Sequence, residues 1–208
     1  MERDFSLYVL VTGAVASLPL EECVAELLEA GVDAIQLREK DIADRDFLEL
    51  ARRLRRLIPL ERAPFIVNDR ADIAALAGAD GVHLGQDDLP AAAARRILGA
   101  GAVIGRSTHD PGQAAAAVAE GADYLAIGPV FPTATKGYSQ GIGVEAAGAI
   151  SRKLSIPVVA IGGITAENLP ELLAAGVRRV AVCSAIIGAA DVGAEAARFR
   201  RLLDAARA

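Results

Sequence analysis

The sequence is poor in several features that would by themselves define a functional class. Its 208 residues include only two cysteines, Cys23 and Cys183, and neither belongs to a CxxC pair. We therefore expect neither a disulfide framework nor a zinc site, and we expect both cysteines to be small core residues in a reducing cytoplasm. The opening Met1-Glu2-Arg3-Asp4 is not the basic start of a secretory signal. No apolar run reaches the roughly 18 residues that a membrane span needs.

The chain also lacks a basic tract. Its formal net charge is −5 and aromatic residues make up 4%, so nucleic acid is not an expected partner. A phosphorylated small molecule fits this balance, because it needs only a few basic groups in one place. No Ser-His-Asp order and no metal-binding histidine spacing occurs, so hydrolysis through a side-chain nucleophile is not favoured. The sequence leaves open whether the protein forms a homo-oligomer.

Short apolar runs alternate with helix-forming segments along the whole chain. The predicted strands cover residues 6–11, 34–37, 65–67, 82–84, 103–104, 124–127, 158–161 and 179–182. The predicted helices cover residues 19–30, 44–58, 71–77, 90–98, 144–154 and 193–206, with two more that begin at Asp110-Pro111 and at Thr165. Four of the connections from a helix to the next strand share an Ala/Gly-rich pattern, which indicates a repeated unit.

Eight such units without a linker predict an α/β protein with a single (β/α)8 TIM barrel over residues 1–208. An open doubly wound sheet is the alternative. Its dinucleotide-binding loop is missing, because Gly99-Ala100-Gly101 follows a helix and precedes a strand, which is the wrong order.

Two of the predicted strands lead directly into carboxylates. Asp69 follows the strand at residues 65–67, and Asp88 ends the segment after the strand at residues 82–84. If these strands are neighbours in a parallel sheet, the two side chains lie close together at one edge. Oxygen ligands with room for water suit Mg²⁺, which commonly takes one or two carboxylates plus substrate phosphates. The alternative is that both aspartates are helix N-caps.

In a barrel the active site lies at the C-terminal ends of the strands. Those ends carry the cations Arg38, Lys40 and Lys136 beside the carboxylates, a set suited to a diphosphate. A second anion feature follows strands seven and eight, where Gly162-Gly163 allows close backbone approach and Ser184 adds a hydroxyl. The alternative is that these glycines only make a tight turn. Two anion sites suggest two phosphorylated substrates or one bisphosphate.

The two histidines have weaker signals. His83 lies inside a strand, and we expect a hydrogen-bonded residue of the barrel interior rather than a catalyst. His109 is near the end of strand five, where contact with substrate and helix capping are equally compatible with the sequence.

At these strand ends the chain resembles the thiamin-phosphate synthases. The matching stretches are QLREK (36–40), VNDR (67–70), GVHLGQDD (81–88), GRSTH (105–109), GPVFPTATK (128–136) and AIGGI (160–164). The resemblance covers essentially the whole chain in the same order. It implies a (β/α)8 barrel that joins 4-amino-2-methyl-5-hydroxymethylpyrimidine diphosphate to 4-methyl-5-(2-hydroxyethyl)thiazole phosphate, or to its carboxylated precursor, and releases diphosphate.

The resemblance also implies roles for individual residues. Asp69 and Asp88 correspond to the Mg²⁺ ligands. The pyrimidine diphosphate is expected to bind Gln36, Arg38, Lys40, Asn68, Ser107 and Lys136, of which Arg38, Lys40, Ser107 and Lys136 are the expected catalytic residues. The thiazole phosphate is expected to bind Thr133, Thr135, Gly162, Gly163, Cys183 and Ser184. The family route ionises the C–O bond first, so it needs stabilisation of the departing diphosphate by Mg²⁺ and cations rather than a strong base.

Two alternatives to a synthase follow from the same comparison. The related thiazole tautomerases are similar overall, but they carry a catalytic histidine in the position of Pro129 and lose the metal-binding acids. A barrel that binds phosphorylated ligands without turning them over is the second alternative. Pro129 together with Asp69 and Asp88 favours the synthase. Residues 137–143 depart from the proline-bearing loop common in synthases, and we expect this segment to cover the substrates.

Overall fold

The computed structural model describes residues 5–59, 61–133 and 140–207, and within them eight parallel strands form a closed barrel in sequence order. The strands are β1 Leu7–Val11, β2 Ala34–Leu37, β3 Phe65–Asn68, β4 Gly81–Leu84, β5 Val103–Thr108, β6 Tyr124–Ile127, β7 Val158–Ile161 and β8 Val180–Val182. The helices are α1 Leu20–Glu29, α2 Asp44–Leu57, α3 Ala71–Ala77, α4 Ala91–Leu98, α5 Pro111–Ala119, α6 Val144–Lys153, α7 Leu169–Ala174, α8 Ser184–Ile187 and α9 Val192–Ala205. The predicted (β/α)8 barrel is confirmed, and β1 pairs with β8, so the sheet is not open.

Residues along each strand alternate between the barrel interior and the helical layer, as the two-residue period of a strand requires. Leu7, Val9 and Val11 of β1 face outward into the main core, where helix residues such as Leu54 and Phe199 are fully buried. The side chains that fill the interior form a smaller cluster of Tyr8, Leu10, Ala34, Ile66, Tyr124, Val159 and Ala181. No helix in residues 5–59, 61–133 or 140–207 is long and apolar enough to cross a membrane.

Three of the four repeated helix-to-strand connections end in an aspartate that stabilises the N-terminal end of the barrel strands. Each of these aspartates accepts a hydrogen bond from the backbone N–H of the first or second residue of the preceding strand. Each also forms an ion pair with an arginine. The three sets are Asp33 with Leu7 and Arg200, Asp80 with Phe65 and Arg55, and Asp123 with Ile104 and Arg95. The connection before β8 has Arg178-Arg179 at this point instead. In three of the four connections, the sequence repeat therefore reflects the same aspartate contact with the preceding strand and an arginine.

Two local predictions were wrong, and one short helix was missed. β5 does not end at Ile104, because Gly105 to Thr108 pair in register with β6. The helix predicted to begin at Thr165 begins at Leu169, with Asn168 as its N-cap residue. Thr165 instead exchanges hydrogen bonds with Asn168 in the preceding turn: its N–H donates to Asn168 Oδ1 at 2.9 Å, and its Oγ1 accepts from the Asn168 N–H at 3.4 Å. The short helix α8 was not predicted.

Candidate active site

A cavity of about 290 Å³ opens at the C-terminal end of the barrel. Because every strand is parallel, all eight strand ends meet at this rim. Nine of the residues singled out from the sequence line the cavity: Gln36, Arg38, Asn68, Ser107, Thr133, Gly162, Gly163, Cys183 and Ser184. Thr135, Lys136 and residues 137–139 lie outside the described residues.

Asp69 and Asp88 are held by contacts that differ from helix capping. Asp69 has a φ of +63°, a left-handed conformation that non-glycine residues adopt infrequently, and its Oδ2 accepts from Lys40 Nζ at 2.5 Å. Asp88 Oδ2 accepts from the N–H of Gly85 at 2.6 Å, which folds the loop after β4 into a turn. Arg70 and Pro90 occupy the N-cap positions of α3 and α4. The N-cap interpretation of the two aspartates was therefore wrong.

The two carboxyl groups act on each other. Burial raises the pKa of Asp88, and the hydrogen bond with Asp69 raises it further. Burial alone would raise the pKa of Asp69 too, but the hydrogen bonds from Lys40 and Asp88 outweigh it, so the pKa of Asp69 is lowered. Opposite shifts are expected when two carboxyl groups lie close together and only one of them is paired with a cation.

This donor set fits a magnesium ion better than a metal held by protein alone. No group of three or more His, Cys, Asp or Glu side chains that could hold a metal occurs in the described part of the chain. Mg²⁺ commonly binds through one or two carboxylates and completes its octahedron with water and substrate phosphate. A cation between Asp69 and Asp88 would also offset the repulsion between their negative charges.

The cavity has a cation that no acid of the described chain neutralises. Arg38 lines the cavity and forms no ion pair within the described residues, whereas Lys40 is 52% exposed and pairs with Asp69. Burial raises the pKa of the Cys183 thiol to about 11, and the Arg38 charge across the cavity offsets this only in part. The thiol therefore stays neutral beside any bound anion.

A chain of buried polar side chains crosses the barrel interior beneath the cavity. We refer to Gln36, Tyr8, Tyr124, His83 and Ser107 as the interior chain. Its successive distances are 2.6 Å from Gln36 Nε2 to Tyr8 OH, 3.0 Å from Tyr8 OH to Tyr124 OH, 2.9 Å from Tyr124 OH to His83 Nδ1, and 2.9 Å from His83 Nε2 to Ser107 Oγ. His83 is hydrogen-bonded inside the barrel, as predicted. The tyrosines were missed, although their inward strand positions were a signal.

Gln36 has one hydrogen-bonding group left for a ligand. Its side-chain nitrogen donates to Tyr8, while its buried Oε1 has no hydrogen-bond partner within the described residues. Gln36 also lines the cavity. A buried acceptor without a partner is costly, so this oxygen suits a bound donor.

The glycines after β7 are required by their conformation and by their packing. Gly162 has a φ of 102° and Gly163 a φ of 64°. A Cβ would lie 2.5 Å from Pro129 Cβ at position 162 and 2.5 Å from the Pro132 carbonyl oxygen at position 163. Neither glycine N–H donates a backbone hydrogen bond to another described residue. The glycines thus make a tight turn and also leave backbone donors at the cavity, beside Ser184.

His109 lines the cavity, and its ring Nδ1 lies 2.6 Å from the Gly128 carbonyl oxygen. The N-cap of α5 is Asp110, whose side chain accepts from the Gln113 N–H. The helix-capping interpretation of His109 was therefore wrong. The adjoining Pro129, which follows a cis peptide bond, also lines the cavity.

Comparisons with known proteins identify the family to which this chain belongs. The family profile described as thiamine monophosphate synthase matches residues 7–186. A putative thiamine-phosphate synthase of Geobacter sulfurreducens is 50% identical over 190 residues, covering 90% of this chain and 89% of that protein. The thiamine-phosphate synthase of Moorella thermoacetica is 45% identical over 206 residues, covering 98% of each chain. The solved structure of thiamine phosphate pyrophosphorylase from Pyrococcus furiosus has a TM-score of 0.89 and 39% identity, covering 98% of each chain.

Proposed function

The chain belongs to the thiamine monophosphate synthase family of transferases, and we propose that it joins the pyrimidine diphosphate named above to the thiazole phosphate, or to its carboxylated form. The observation that supports this proposal is that two groups of residues suited to bind anions lie at one cavity. Arg38 lies in the first region with the Lys40–Asp69–Asp88 group at its rim, and the second contains Gly162 and its neighbours.

The first region suits a diphosphate. Asp69 and Asp88 would hold Mg²⁺, and the ion, when bound, supplies positive charge that stabilises the leaving diphosphate. Arg38 and Lys40 follow the C-terminal end of β2 and add positive charge there, and Lys136 is expected to add more. Asn68 and Ser107 supply neutral donors to the phosphate oxygens.

The pyrimidine ring is proposed to bind deeper in the cavity. The free Oε1 of Gln36 is an acceptor at 2% residue exposure, and the exocyclic amino group of the pyrimidine is a matching donor. This contact would identify an aminopyrimidine, because a ring without the amino group leaves the buried acceptor unpaired.

The second region suits the thiazole phosphate. Backbone N–H groups of Gly162 and Gly163 approach a phosphate without obstruction, since neither residue has a Cβ. Ser184 contributes its hydroxyl, and Cys183 contributes a neutral thiol whose protonation avoids a second negative charge. Thr133 lines the same cavity, and Thr135 is expected to join it.

The proposed reaction needs no strong base. The C–O bond to the diphosphate breaks with its electron pair, and the thiazole nitrogen then donates its lone pair to the pyrimidinylmethyl cation to form the C–N bond. No Asp or Glu occurs among the described residues that line the cavity. The residues instead bind and orient the two phosphates, an electrostatic contribution of about 2–4 kcal/mol for each well-placed donor.

One assay separates this proposal from its alternatives. The purified protein is mixed with both substrates, with Mg²⁺ or with a chelator, and diphosphate release is followed. A synthase releases diphosphate only with both substrates and Mg²⁺. A tautomerase acts on the thiazole alone and ignores Mg²⁺, and a binding protein turns over neither substrate.

Asp88→Asn should abolish release, while the neighbouring exposed Asp87→Asn should not; equal loss in both variants contradicts the assignment of the metal pair.

A further inference from the structure

The interior chain connects two residues that the proposed reaction uses, Gln36 and Ser107, through three residues that it does not. The interior chain is buried: Gln36, Tyr8, His83 and Tyr124 are between 2% and 6% exposed. Such a network is specific only if every member is satisfied, so the direction of each hydrogen bond is restricted.

The direction can be followed from the Gln36 end. Gln36 Nε2 has hydrogens and no free lone pair, so it donates to Tyr8, and the Tyr8 hydroxyl in turn donates to the Tyr124 oxygen. Tyr124 then donates to the acceptor at 2.9 Å, His83 Nδ1. Burial raises the pKa of both tyrosines, so neither hydroxyl loses its proton in the neutral range.

With Nδ1 occupied as an acceptor, His83 has its proton on Nε2. That N–H donates to Ser107 Oγ at 2.9 Å. The Ser107 oxygen is thereby used as an acceptor, and the remaining hydroxyl proton is available to the cavity that Ser107 lines.

The backbone beside the chain leaves space for it. Gly105 lies on β5 between the rings of Tyr124 and His83. A Cβ at this position would overlap Tyr124 Cζ and OH and lie 2.5 Å from His83 Nδ1. Gly105 has no positive φ, so its glycine is explained by this space rather than by its backbone conformation.

We propose that Tyr8, Tyr124 and His83 are positioning residues, which hold His83 in its Nε2–H form and direct the Ser107 hydroxyl proton toward the leaving diphosphate. This inference rests on the proposed function for the identity of the anion, but the hydrogen-bond order itself is a property of the protein alone. Ser107 keeps its proton and donates a hydrogen bond, so no bond in the protein breaks.

The first test needs no turnover. The chain contains only two histidines, so nitrogen-15 labelling of histidine gives two imidazole signal sets, and His109→Gln assigns them. From the hydrogen-bond order we expect the His83 ring to have its proton on Nε2 and none on Nδ1. Tyr124→Phe, which removes only the hydroxyl, should shift the Nδ1 resonance. A proton on Nδ1 in the wild type, or an unchanged Nδ1 signal in Tyr124→Phe, overturns the proposal.

The second test asks whether the chain acts through Ser107. Ser107→Ala should lower kcat about ten- to a hundredfold, and Tyr124→Phe about three- to tenfold, with little change in the KM for the diphosphate substrate. In the double variant the tyrosine change should have no additional effect, because its partner is gone. Multiplicative losses overturn the proposal.

Controls separate this proposal from general damage and from a wrong function. Tyr8→Phe is a second hydroxyl deletion in the chain, should Tyr124→Phe not fold. Ser151→Ala deletes a hydroxyl whose one hydrogen bond among the described residues is to the Ala147 carbonyl oxygen within α6, and it should leave kcat unchanged. A wild-type protein without turnover, but with the expected tautomer, would reject the proposed function and retain the hydrogen-bond order. Turnover by a protein whose His83 has the opposite tautomer would support the proposed function and reject the hydrogen-bond order.

Discussion

A methyl group at Gly105 would test the packing that the interior chain depends on. The substitution Gly105→Ala adds one carbon inside the barrel, where the ring of Tyr124 and the Nδ1 of His83 already occupy the space. Neither ring can move away without cost, because Tyr124 is 2% exposed and packs edge-on against Phe5 and Tyr8. We therefore expect the Tyr124–His83 hydrogen bond to break.

The cost has two parts. Overpacking of a filled core costs about 1–3 kcal/mol. Separation of Tyr124 from His83 leaves buried polar atoms without partners, which costs about 1–3 kcal/mol more. The free energy of unfolding should therefore fall by roughly 2–6 kcal/mol, and a chain of this size loses about 2–4 °C in melting temperature per kcal/mol.

Urea unfolding followed by circular dichroism measures this change, with Gly101→Ala as the matched control. A Cβ at Gly101 would meet no atom of a non-adjacent residue within 4 Å, and Gly101 has no positive φ. Its alanine variant should therefore unfold within about 0.5 kcal/mol of the wild type. If Gly105→Ala were equally stable, the barrel interior would have more room than these distances allow, and the packing around Gly105 would not hold the interior chain in place.

Three further predictions address the metal pair, the diphosphate and the N-terminal end of the barrel strands. Mg²⁺ at a hundred times its Kd should stabilise the wild type by about 2.7 kcal/mol in thermal unfolding, and Asp88→Asn should lose this shift; a retained shift would place the ion elsewhere. Lys136→Ala should raise the KM for the pyrimidine diphosphate more than that for the thiazole phosphate, and equal increases would remove this lysine from the diphosphate region. Burial alone would raise the pKa of Asp33, but the N–H groups of Leu7 and Ser6 and the Arg200 guanidinium outweigh it and lower the pKa. A lowered folded pKa gives stability that is present above the unfolded value of about 3.9 and is lost as the pH falls through the folded value. Asp33→Asn should therefore cost about 1–3 kcal/mol at pH 7 and flatten the acid side of the stability profile; an unchanged profile would contradict this role.

The sequence was sufficient for the barrel because its signals are local and periodic. Strand β2 and helix α3 have the predicted bounds, because β2 is a short run between charged residues and α3 ends directly before Gly78. β5 was predicted too short because the polar residues after Ile104 resemble a loop. They are strand residues because β6 lies beside them, a long-range pairing that no local pattern contains.

For the site, the meeting of the strand ends could be predicted from the sequence, but the contacts inside the barrel could not. Parallel strands in a closed barrel must bring their C-terminal ends together, so the side chains at those ends were expected to converge. The interior chain was not predicted, because Tyr8 and Tyr124 are 116 residues apart and meet only across the barrel. Whether Asp69 and Asp88 cap helices also depended on the backbone around them, which residue types alone do not determine.

The polar residues of strand β5 have different roles because alternate residues of a strand face opposite sides. Gly105 faces inward and leaves space for Tyr124 and His83, and Ser107 faces the cavity two residues later. Arg106, between them, points to the opposite side and donates to the carbonyl oxygens of Gly85 at 2.7 Å and Leu89 at 3.2 Å, so it holds both ends of the loop that contains Asp88. The alternation of a strand thus lets consecutive residues support the interior chain and the carboxylate pair at once. A loop at these positions would not fix the two at a constant separation, which the proposed binding of a metal and a diphosphate beside Ser107 would require.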